Sequence, residues 1–172
     1  MKVIKQISLG LDLSTTSSGY SVFEDDKLIA YGVIKPNGKD WRDRIADEMP
    51  KIDNLIEHYK PNVIYVEDVP LKAGNSKILV ILGAVQGALI STASCHNVPI
   101  HYIQPSRWRS PLGLYDGTRD GTKRAELKRK SVEMANKLFG LSLRWVSPSS
   151  KKNDDDISDS VLLCYSQVGH FS

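Results

Sequence analysis

The chain has 172 residues and a net charge of +3, with 41% hydrophobic and 25% charged residues, the composition of an ordinary globular domain with a proper core. No uninterrupted apolar run approaches the ~20 residues of a membrane span, and the first residues lack the apolar segment of a signal peptide. Two distant cysteines, Cys95 and Cys164, have no metal-ligand spacing and argue against a disulfide framework. We therefore predict one domain over residues 1–172 in a reduced, cytoplasmic setting.

The first apolar stretch ends at a carboxylate. Residues 7–12 alternate between apolar and small or polar side chains, the period-two pattern of a half-buried strand. A turn rich in Ser, Thr and Gly follows, and the next apolar run, Tyr20 to Phe23, predicts a hairpin. Asp12 then ends the first strand, on the face opposite the apolar residues. Such a carboxylate can hold a divalent cation or simply accept hydrogen bonds from turn amides, and for a lone Asp the second role is the commoner one.

The rest of the chain alternates strands and helices after a third strand. In chain order we predict a strand over Lys27–Ile34, a helix over Trp41–Tyr59, a strand over Val63–Val66, a loop over Val69–Ser76, a helix over Lys77–Ser94, a strand over Val98–Ile103 and helices over Thr122–Phe139 and Asp154–Val168. Three hairpin-linked strands followed by strand–helix alternation indicate an α/β fold with a mixed sheet and helices on its faces.

The helix over Lys77–Ser94 is apolar nearly all round, which predicts that it is buried on several sides. Gly83 and Gly87 lie one turn apart on it, where the sheet or a second helix can approach closely. Two interpretations remain open. The helix is either the central core helix of a monomer or an element whose leftover apolar stripe forms an interface between two subunits.

Carboxylates end two predicted strands and recur in the last helix. Asp12 ends the first strand and Glu67 the fourth, so both emerge at one edge if those strands are parallel neighbours. Asp156 and Asp159 are three residues apart and share a helix face. Capping and the helix dipole explain residues 154–155, but Asp159 lies beyond the first turn. Four converging carboxylates would repel each other without cations, and hard oxygen ligands favour Mg²⁺ or Mn²⁺.

Positive charge is concentrated in residues 105–152, which hold twelve Lys or Arg against four Asp or Glu, an excess of eight. Such a block suggests a polyanionic partner, although a solvated helix face followed by a flexible loop has the same composition. The candidate nucleic-acid contacts are Arg107, Arg109, Lys123, Arg124, Lys128 and Lys130.

Together these motifs resemble the RuvC-type Holliday-junction resolvases of the ribonuclease H-like superfamily, over nearly the whole chain. The resemblance lies in Gly10–Asp12 with its turn, Val66–Glu67, the apolar-helix segment Gly83–Gly87 and Asp156–Ser160. It implies a ribonuclease H-like mixed five-stranded sheet with helices on both faces. The family's catalytic, metal-binding acids then correspond to Asp12, Glu67, Asp156 and Asp159.

The resemblance further implies an Mg²⁺-dependent endonuclease that cuts four-way junctions and other branched DNA in recombination and repair. It implies two ions per site, Mg²⁺ or Mn²⁺, with Asp12 as bridging ligand, and a homodimer built on the Lys77–Ser94 helix. A basic residue near the start of the helix before the last is also expected, which leaves Lys123 and Lys128 open. Two departures are the lack of an aromatic residue in Asp68–Leu71, which argues against strict sequence preference, and Ser160 where the family usually has Ala.

Three alternatives compete with this interpretation. The same fold serves nucleases of RNA or RNA:DNA hybrids. Residues 12–17 resemble the phosphate-binding turn of sugar-kinase and actin-like ATPases, but those proteins need two such domains and this chain has length for one. A non-catalytic DNA-binding module is the third.

Overall fold

The protein forms a five-stranded sheet with helices on both faces, in a computed structural model that describes residues 5–69 and 75–169. The strands are β1 (Ile7–Asp12), β2 (Ser18–Glu24), β3 (Lys27–Ile34), β4 (Val63–Glu67) and β5 (Ile100–Ile103). The helices are α1 (Trp41–Tyr59), α2 (Ser76–Cys95), α3 (Pro105–Arg109), α4 (Arg124–Phe139) and α5 (Asp155–Val168), with a 3-10 turn at Asp120–Thr122.

The strand order is β3-β2-β1-β4-β5. The first three strands pair antiparallel, whereas β1 pairs parallel with β4, and β4 parallel with β5. Leu11 lies opposite Val66 in the β1–β4 ladder, so the carboxylates that follow them, Asp12 and Glu67, leave the sheet at the same edge. The prediction of a mixed sheet with helices on both faces is confirmed.

Each face of the sheet carries its own core. The apolar side chains of β1 point to the α1–α2 side, where the buried cluster comprises Leu9, Leu11, Val22, Ile34, Ile52, Ile56, Ile64, Val66, Leu89 and Ala93. On the other side α3, α4 and α5 contribute to a cluster of Phe23, Trp108, Leu114, Ala135, Ile157, Val161, Leu162, Leu163 and Cys164. Because side chains alternate along β1, Asp12 belongs to this second side, where α5 lies.

The sheet lets α5 approach closely because two strand positions lack side chains. A methyl group on Gly19 would lie 1.8 Å from the carbonyl oxygen of Asp156, and one on Gly10 would lie 2.7 Å from that of Ser160. The Ser21 hydroxyl donates a hydrogen bond to the same Ser160 carbonyl at 2.8 Å. This contact presses the first half of α5 onto the ends of β1 and β2, which brings its acidic face to the strand ends.

Helix α2 is less buried than its composition predicts. Val85, Leu89 and Ala93 are buried, whereas Val80 is 62% and Ile90 51% exposed. The prediction of burial on several sides is wrong because the sheet and α1 cover one stripe of this helix. Among the described residues, α2 is also long and apolar enough to cross a membrane, against the expectation from interrupted apolar runs. Length and composition alone are weak evidence for a membrane span, because the core helix of a soluble protein and a signal sequence have the same length and composition.

Other differences from the predicted elements are local. The sequence pattern does not predict α3, a five-residue helix whose first residue is Pro105. Strand β5 begins after Pro99, which has no amide to donate, rather than at Val98. Most of the predicted loop over Val69–Ser76 falls on residues 70–74, which lie outside the described part of the chain.

Candidate active site

A cavity of about 690 Å³ opens at the carboxyl ends of β1 and β4, between α2, α3, α4 and α5. All four predicted acids, Asp12, Glu67, Asp156 and Asp159, line it. They come from two parallel strand ends and from one face of α5, as the sequence pattern indicates. Sequence positions up to 147 residues apart thus meet at one place in the fold.

The Arg109 guanidinium lies between two of these acids, Glu67 and Asp159. Nη2 of Arg109 lies 3.3 Å from Oε2 of Glu67 and 3.7 Å from Oδ2 of Asp159. Within residues 5–69 and 75–169, no three His, Cys, Asp or Glu side chains are grouped closely enough to hold a metal ion directly. Four carboxylates are nevertheless the oxygen donors that a hard divalent cation prefers, so the donor set fits Mg²⁺, which would compete with Arg109 for Glu67 and Asp159.

The electrostatics of the cavity show an excess of negative charge. Burial, followed by the charges of Asp159, Asp156 and Glu67, raises the pKa of Asp12 well above its ordinary value. Burial also raises the pKa of Asp159 to about 6, although the Arg109 charge and a hydrogen bond from Ser131 oppose that shift. The cationic side chains of the cavity therefore only partly compensate its carboxylates, which is the condition that a bound cation relieves.

Glu67 is oriented by two consecutive residues of α3. Nε1 of the fully buried Trp108 donates a hydrogen bond to Oε2 of Glu67 at 2.8 Å. The Arg109 guanidinium stacks on the Trp108 ring, 4.4 Å from its centroid. From the sequence, Arg109 is predicted only as a DNA contact, and Trp108 is not predicted as a site residue. The sequence signal that could have indicated Trp108 as a site residue is its position between Arg107 and Arg109, shortly after Pro105.

Comparison with known proteins decides the family. The family model described as crossover junction endodeoxyribonuclease RuvC matches residues 8–136, which is 129 of the 172 residues. The chain belongs to the RuvC family. The predicted RuvC-type resolvase is therefore confirmed at the level of the family.

Similar proteins cover most of the chain. The RuvC of Alkaliphilus metalliredigens is 25% identical over 172 residues, covering 96% of this chain and 95% of the relative. That of Nitratidesulfovibrio vulgaris (strain DP4) is 26% identical over 141 residues, 80% of each chain. Among solved structures, T. thermophilus RuvC in complex with a Holliday junction substrate aligns with a TM-score of 0.71 at 14% identity, covering 94% of this chain and 92% of that one. The yeast mitochondrial Holliday junction resolvase Ydc2 aligns with a TM-score of 0.57 at 16% identity, covering 94% and 77%. These alignments show the shared fold.

The geometry distinguishes the two lysines left open for this RuvC family member. Lys128 lines the cavity, contacts the Asp155 carboxylate and has its Nζ 3.9 Å from Oδ1 of Asp156. Burial lowers the pKa of Lys128, but the hydrogen bond and charge of Asp155 outweigh it, so the pKa lies above its ordinary value. Lys123 is exposed outside the cavity and pairs with Asp120 at 2.7 Å. Of the two lysines, Lys128 is therefore the one that lies beside the acids of the cavity.

The other predicted DNA contacts also divide into residues that line the cavity and residues that lie outside it. Arg109 and Arg124 line the cavity together with Lys128. Arg107 is exposed on α3 and does not line it, and Nζ of Lys130 pairs with Asp116 at 2.8 Å. Three of the six predicted contacts thus face the cavity.

The predicted positions of Asp154 and Asp155, at the N-cap and in the first turn of α5, are confirmed, but the predicted capping hydrogen bond is wrong. Asp154 occupies the N-cap position of α5 but makes no side-chain capping bond; its Oδ2 accepts from the backbone N and the Nε of Arg144, at 2.8 and 3.3 Å. Asp155, in the first turn, contacts Lys128 instead. Cationic partners from elsewhere in the chain outcompete the local amides for both carboxylates.

The turn after β1 forms a structured wall of the cavity. The Ser14 hydroxyl accepts hydrogen bonds from the amides of Thr16 and Ser17, at 3.1 and 3.0 Å, and the Ser14 amide donates to Oγ of Ser18 at 2.9 Å. The Ser17 side chain also opposes the burial-driven rise of the Asp156 pKa. The Ser/Thr-rich segment therefore links Asp12 to α5.

Proposed function

We propose that this protein is a metal-dependent, structure-selective endonuclease that cuts four-way DNA junctions by hydrolysing phosphodiester bonds. Family membership over residues 8–136 supports the reaction class. The observation that carries the site is the convergence of Asp12, Glu67, Asp156 and Asp159 on one cavity. These four acids are proposed as the catalytic, metal-binding residues.

The proposed cofactor is Mg²⁺, which Mn²⁺ can replace, with two ions per site held by those four acids. Bound Mg²⁺ polarises a phosphodiester and lowers the pKa of its water ligand. Within the chain, Trp108 and Ser131 orient Glu67 and Asp159 by hydrogen bonds. Arg109 and Lys128 line the cavity and supply positive charge where the scissile phosphate enters.

Three substrates test the proposal and its competitors. A synthetic four-way junction, an RNA:DNA hybrid and a linear DNA duplex are incubated with the protein, with and without Mg²⁺. We expect cleavage of the junction alone, and only with the ion. Preferential cutting of the hybrid would instead assign a ribonuclease, and metal-independent binding with no cleavage would assign a non-catalytic DNA-binding module.

Lys128 and Lys123 are predicted to differ in their contribution to junction binding. Lys128→Ala removes a cavity cation and leaves Asp155 unpaired, so junction affinity should fall and the slope of log affinity against log salt should flatten by roughly 0.9. Lys123→Ala should have a smaller effect because its ammonium is outside the cavity. The measurement is the junction dissociation constant in EDTA at several salt concentrations. Equal salt slopes in both variants and the wild type would contradict the assignment.

We further propose that the protein is a two-fold symmetric homodimer that associates through α2. Val80 and Ile90 are 62% and 51% exposed on this helix, on the same face as Gly83 and Gly87. No described atom beyond the helix itself lies within 4 Å of where side chains at Gly83 and Gly87 would begin. This face is therefore open to a second copy. A four-way junction has two equivalent strands to cut, and an isologous dimer presents one site to each.

Substitution at a glycine of this face tests the dimer. Gly87→Arg meets no obstacle in the monomer and raises helix propensity by up to about 1 kcal/mol, but it places a long cation in the proposed interface. We expect the wild type to sediment at twice the monomer mass at micromolar concentration, and the variant as a folded monomer. Asn54→Arg, on the exposed side of α1, is the control and should stay dimeric. A monomeric wild type, with or without junction DNA, would remove the dimer.

A single domain in a reduced, cytoplasmic setting also remains part of the proposal. Both cysteines are free in the structure, Cys95 exposed and Cys164 buried. An exposed free thiol persists where the surroundings are reducing. Mass analysis of the purified protein after mild oxidation would show whether Cys95 forms intermolecular disulfides.

A further inference from the structure

A second cavity adjoins the catalytic one on the other side of the turn after β1. It has a volume of about 600 Å³, and we call it the β3 groove; its lining is Thr16, Ser17, Val33, Lys35, Arg144 and residues 150–157. Thr16, Ser17 and Asp156 line both cavities. The two spaces therefore share one wall, and a polymer in the catalytic cavity can continue into the β3 groove.

Two of the three acids that line the β3 groove, Asp154 and Asp155, are paired with cations of the chain, and the third, Asp156, is a proposed metal ligand. Asp154 accepts hydrogen bonds from the backbone and side chain of Arg144. Asp155 is paired with Lys128, which reaches it from the catalytic side. Asp154 and Asp155 thus add little net negative charge to the groove.

The lysines of the β3 groove, by contrast, have no anionic partner within the described part of the chain. Lys35, directly after β3, and Lys151 and Lys152, in the loop before α5, are exposed. No carboxylate of residues 5–69 or 75–169 lies within ion-pair distance of any of the three. Three ammonium groups without an ion pair, around a groove in which Asp154 and Asp155 are paired, form a binding surface for a polyanion.

The neighbouring strand adds an apolar face. Tyr31 pairs with Ser21, and Ser21 points toward α5, so Tyr31 lies on the α5 side of the sheet and is 43% exposed. Val33, two residues on, shares that side, is 38% exposed and lines the groove. A tyrosine ring beside a cationic groove offers a stacking surface for a base or sugar.

We propose that the β3 groove binds the backbone of the DNA arm that runs on from the cut phosphate, with Lys35, Lys151 and Lys152 contacting its phosphates. This inference rests on the proposed function, because the catalytic cavity defines where that arm begins. A DNA strand matches the groove better than a small anion does, since it explains the shared wall, three spaced cations and an adjacent aromatic side chain together. Such contacts position the substrate and are independent of sequence.

Junction binding by the triple variant Lys35→Ala/Lys151→Ala/Lys152→Ala tests the inference. In EDTA, we expect about tenfold weaker binding at moderate salt and a salt slope that is flatter by up to about 3. The matched control is Lys27→Ala, an exposed lysine at the other end of the same strand, ~26 Å away, which should bind within twofold of the wild type. The corresponding triple Lys→Arg variant keeps the charges and should retain wild-type affinity.

Phosphate-ethylation interference then locates the contacts on the junction. The wild-type protein should show interference at consecutive phosphates on one side of the cut, and the triple Ala variant should lose those phosphates alone. If the wild type cuts junctions but the triple variant matches it in affinity, salt slope and interference pattern, the inference is wrong and the proposed function stands. Uniform weakening at all phosphates would also overturn it. If the wild type neither binds nor cuts junctions, the proposed function fails first.

Discussion

Replacing Asp12 by Asn is expected to lower the rate of junction cleavage by at least about a thousandfold, equivalent to roughly 4 kcal/mol of transition-state stabilisation. The amide keeps the shape of the side chain but loses the charge that holds a divalent cation. Asp12 has the strongest reason to carry this role, because burial and three neighbouring carboxylates act on it together. Cleavage is measured under single-turnover conditions with protein in excess.

The same Asp12→Asn substitution should leave junction binding intact or strengthen it. Removing a negative charge near the phosphates lowers their repulsion from the site, so the dissociation constant in EDTA should not rise. The matched control is Asp26→Asn, an exposed acid in the turn between β2 and β3. Glu67→Gln and Asp159→Asn should behave as Asp12→Asn does. Undiminished cleavage by the Asp12 variant would refute the site assignment.

The positions of the four acids could be predicted because each depends on a local pattern. Alternation in residues 7–12 places Asp12 at a strand end, and the apolar run before Glu67 does the same for that residue. The spacing of Asp156 and Asp159 puts them on one helix face. The remaining step was the parallel pairing of β1 with β4, which the sequence left as a condition and the structure shows.

The partners of those acids could not be predicted in this way. Trp108 and Arg109 lie on a five-residue helix with no periodic pattern, and their contacts with Glu67 join segments 41 or more residues apart. Lys128 and Asp155 pair across two helices, so the position of each depends on how α4 packs on α5. Such side-chain contacts are decided by tertiary packing and leave no signal in spacing.

The error over α2 has a related cause. Hydrophobicity shows that a helix face avoids water, but it does not show what covers that face. The sequence left open whether this chain's own core or a second subunit covers the helix, and the described residues leave Val80 and Ile90 exposed and Gly83 and Gly87 open. Within the proposed function, a second copy takes the place that the sheet does not fill.

Trp108→Phe is expected to weaken both cleavage and metal binding by about 10- to 100-fold, as is usual when a residue that orients a metal ligand is lost. Phenylalanine fills most of the buried indole site but has no N–H to donate to Glu67. Glu67 would then be held by Arg109 alone, in an orientation that favours the guanidinium over a divalent ion. Trp108 is a positioning residue in this account, since it acts through Glu67.

Titration calorimetry with Mn²⁺ or Mg²⁺ in the absence of DNA measures this effect apart from catalysis. The affinity of Trp108→Phe for the ion should fall, and its cleavage rate should recover as the ion concentration is raised. Trp41→Phe, in the first turn of α1 and outside the cavity lining, is the control for loss of an indole and should change neither quantity. A buried Trp→Phe change also costs folding stability, of the order of 1–3 kcal/mol, which denaturant unfolding records separately. If Trp108→Phe loses stability but keeps the ion affinity of the wild type, Trp108 is a packing residue. Poorer packing alone gives no reason for ion affinity to fall or for the cleavage rate to recover at high ion concentration.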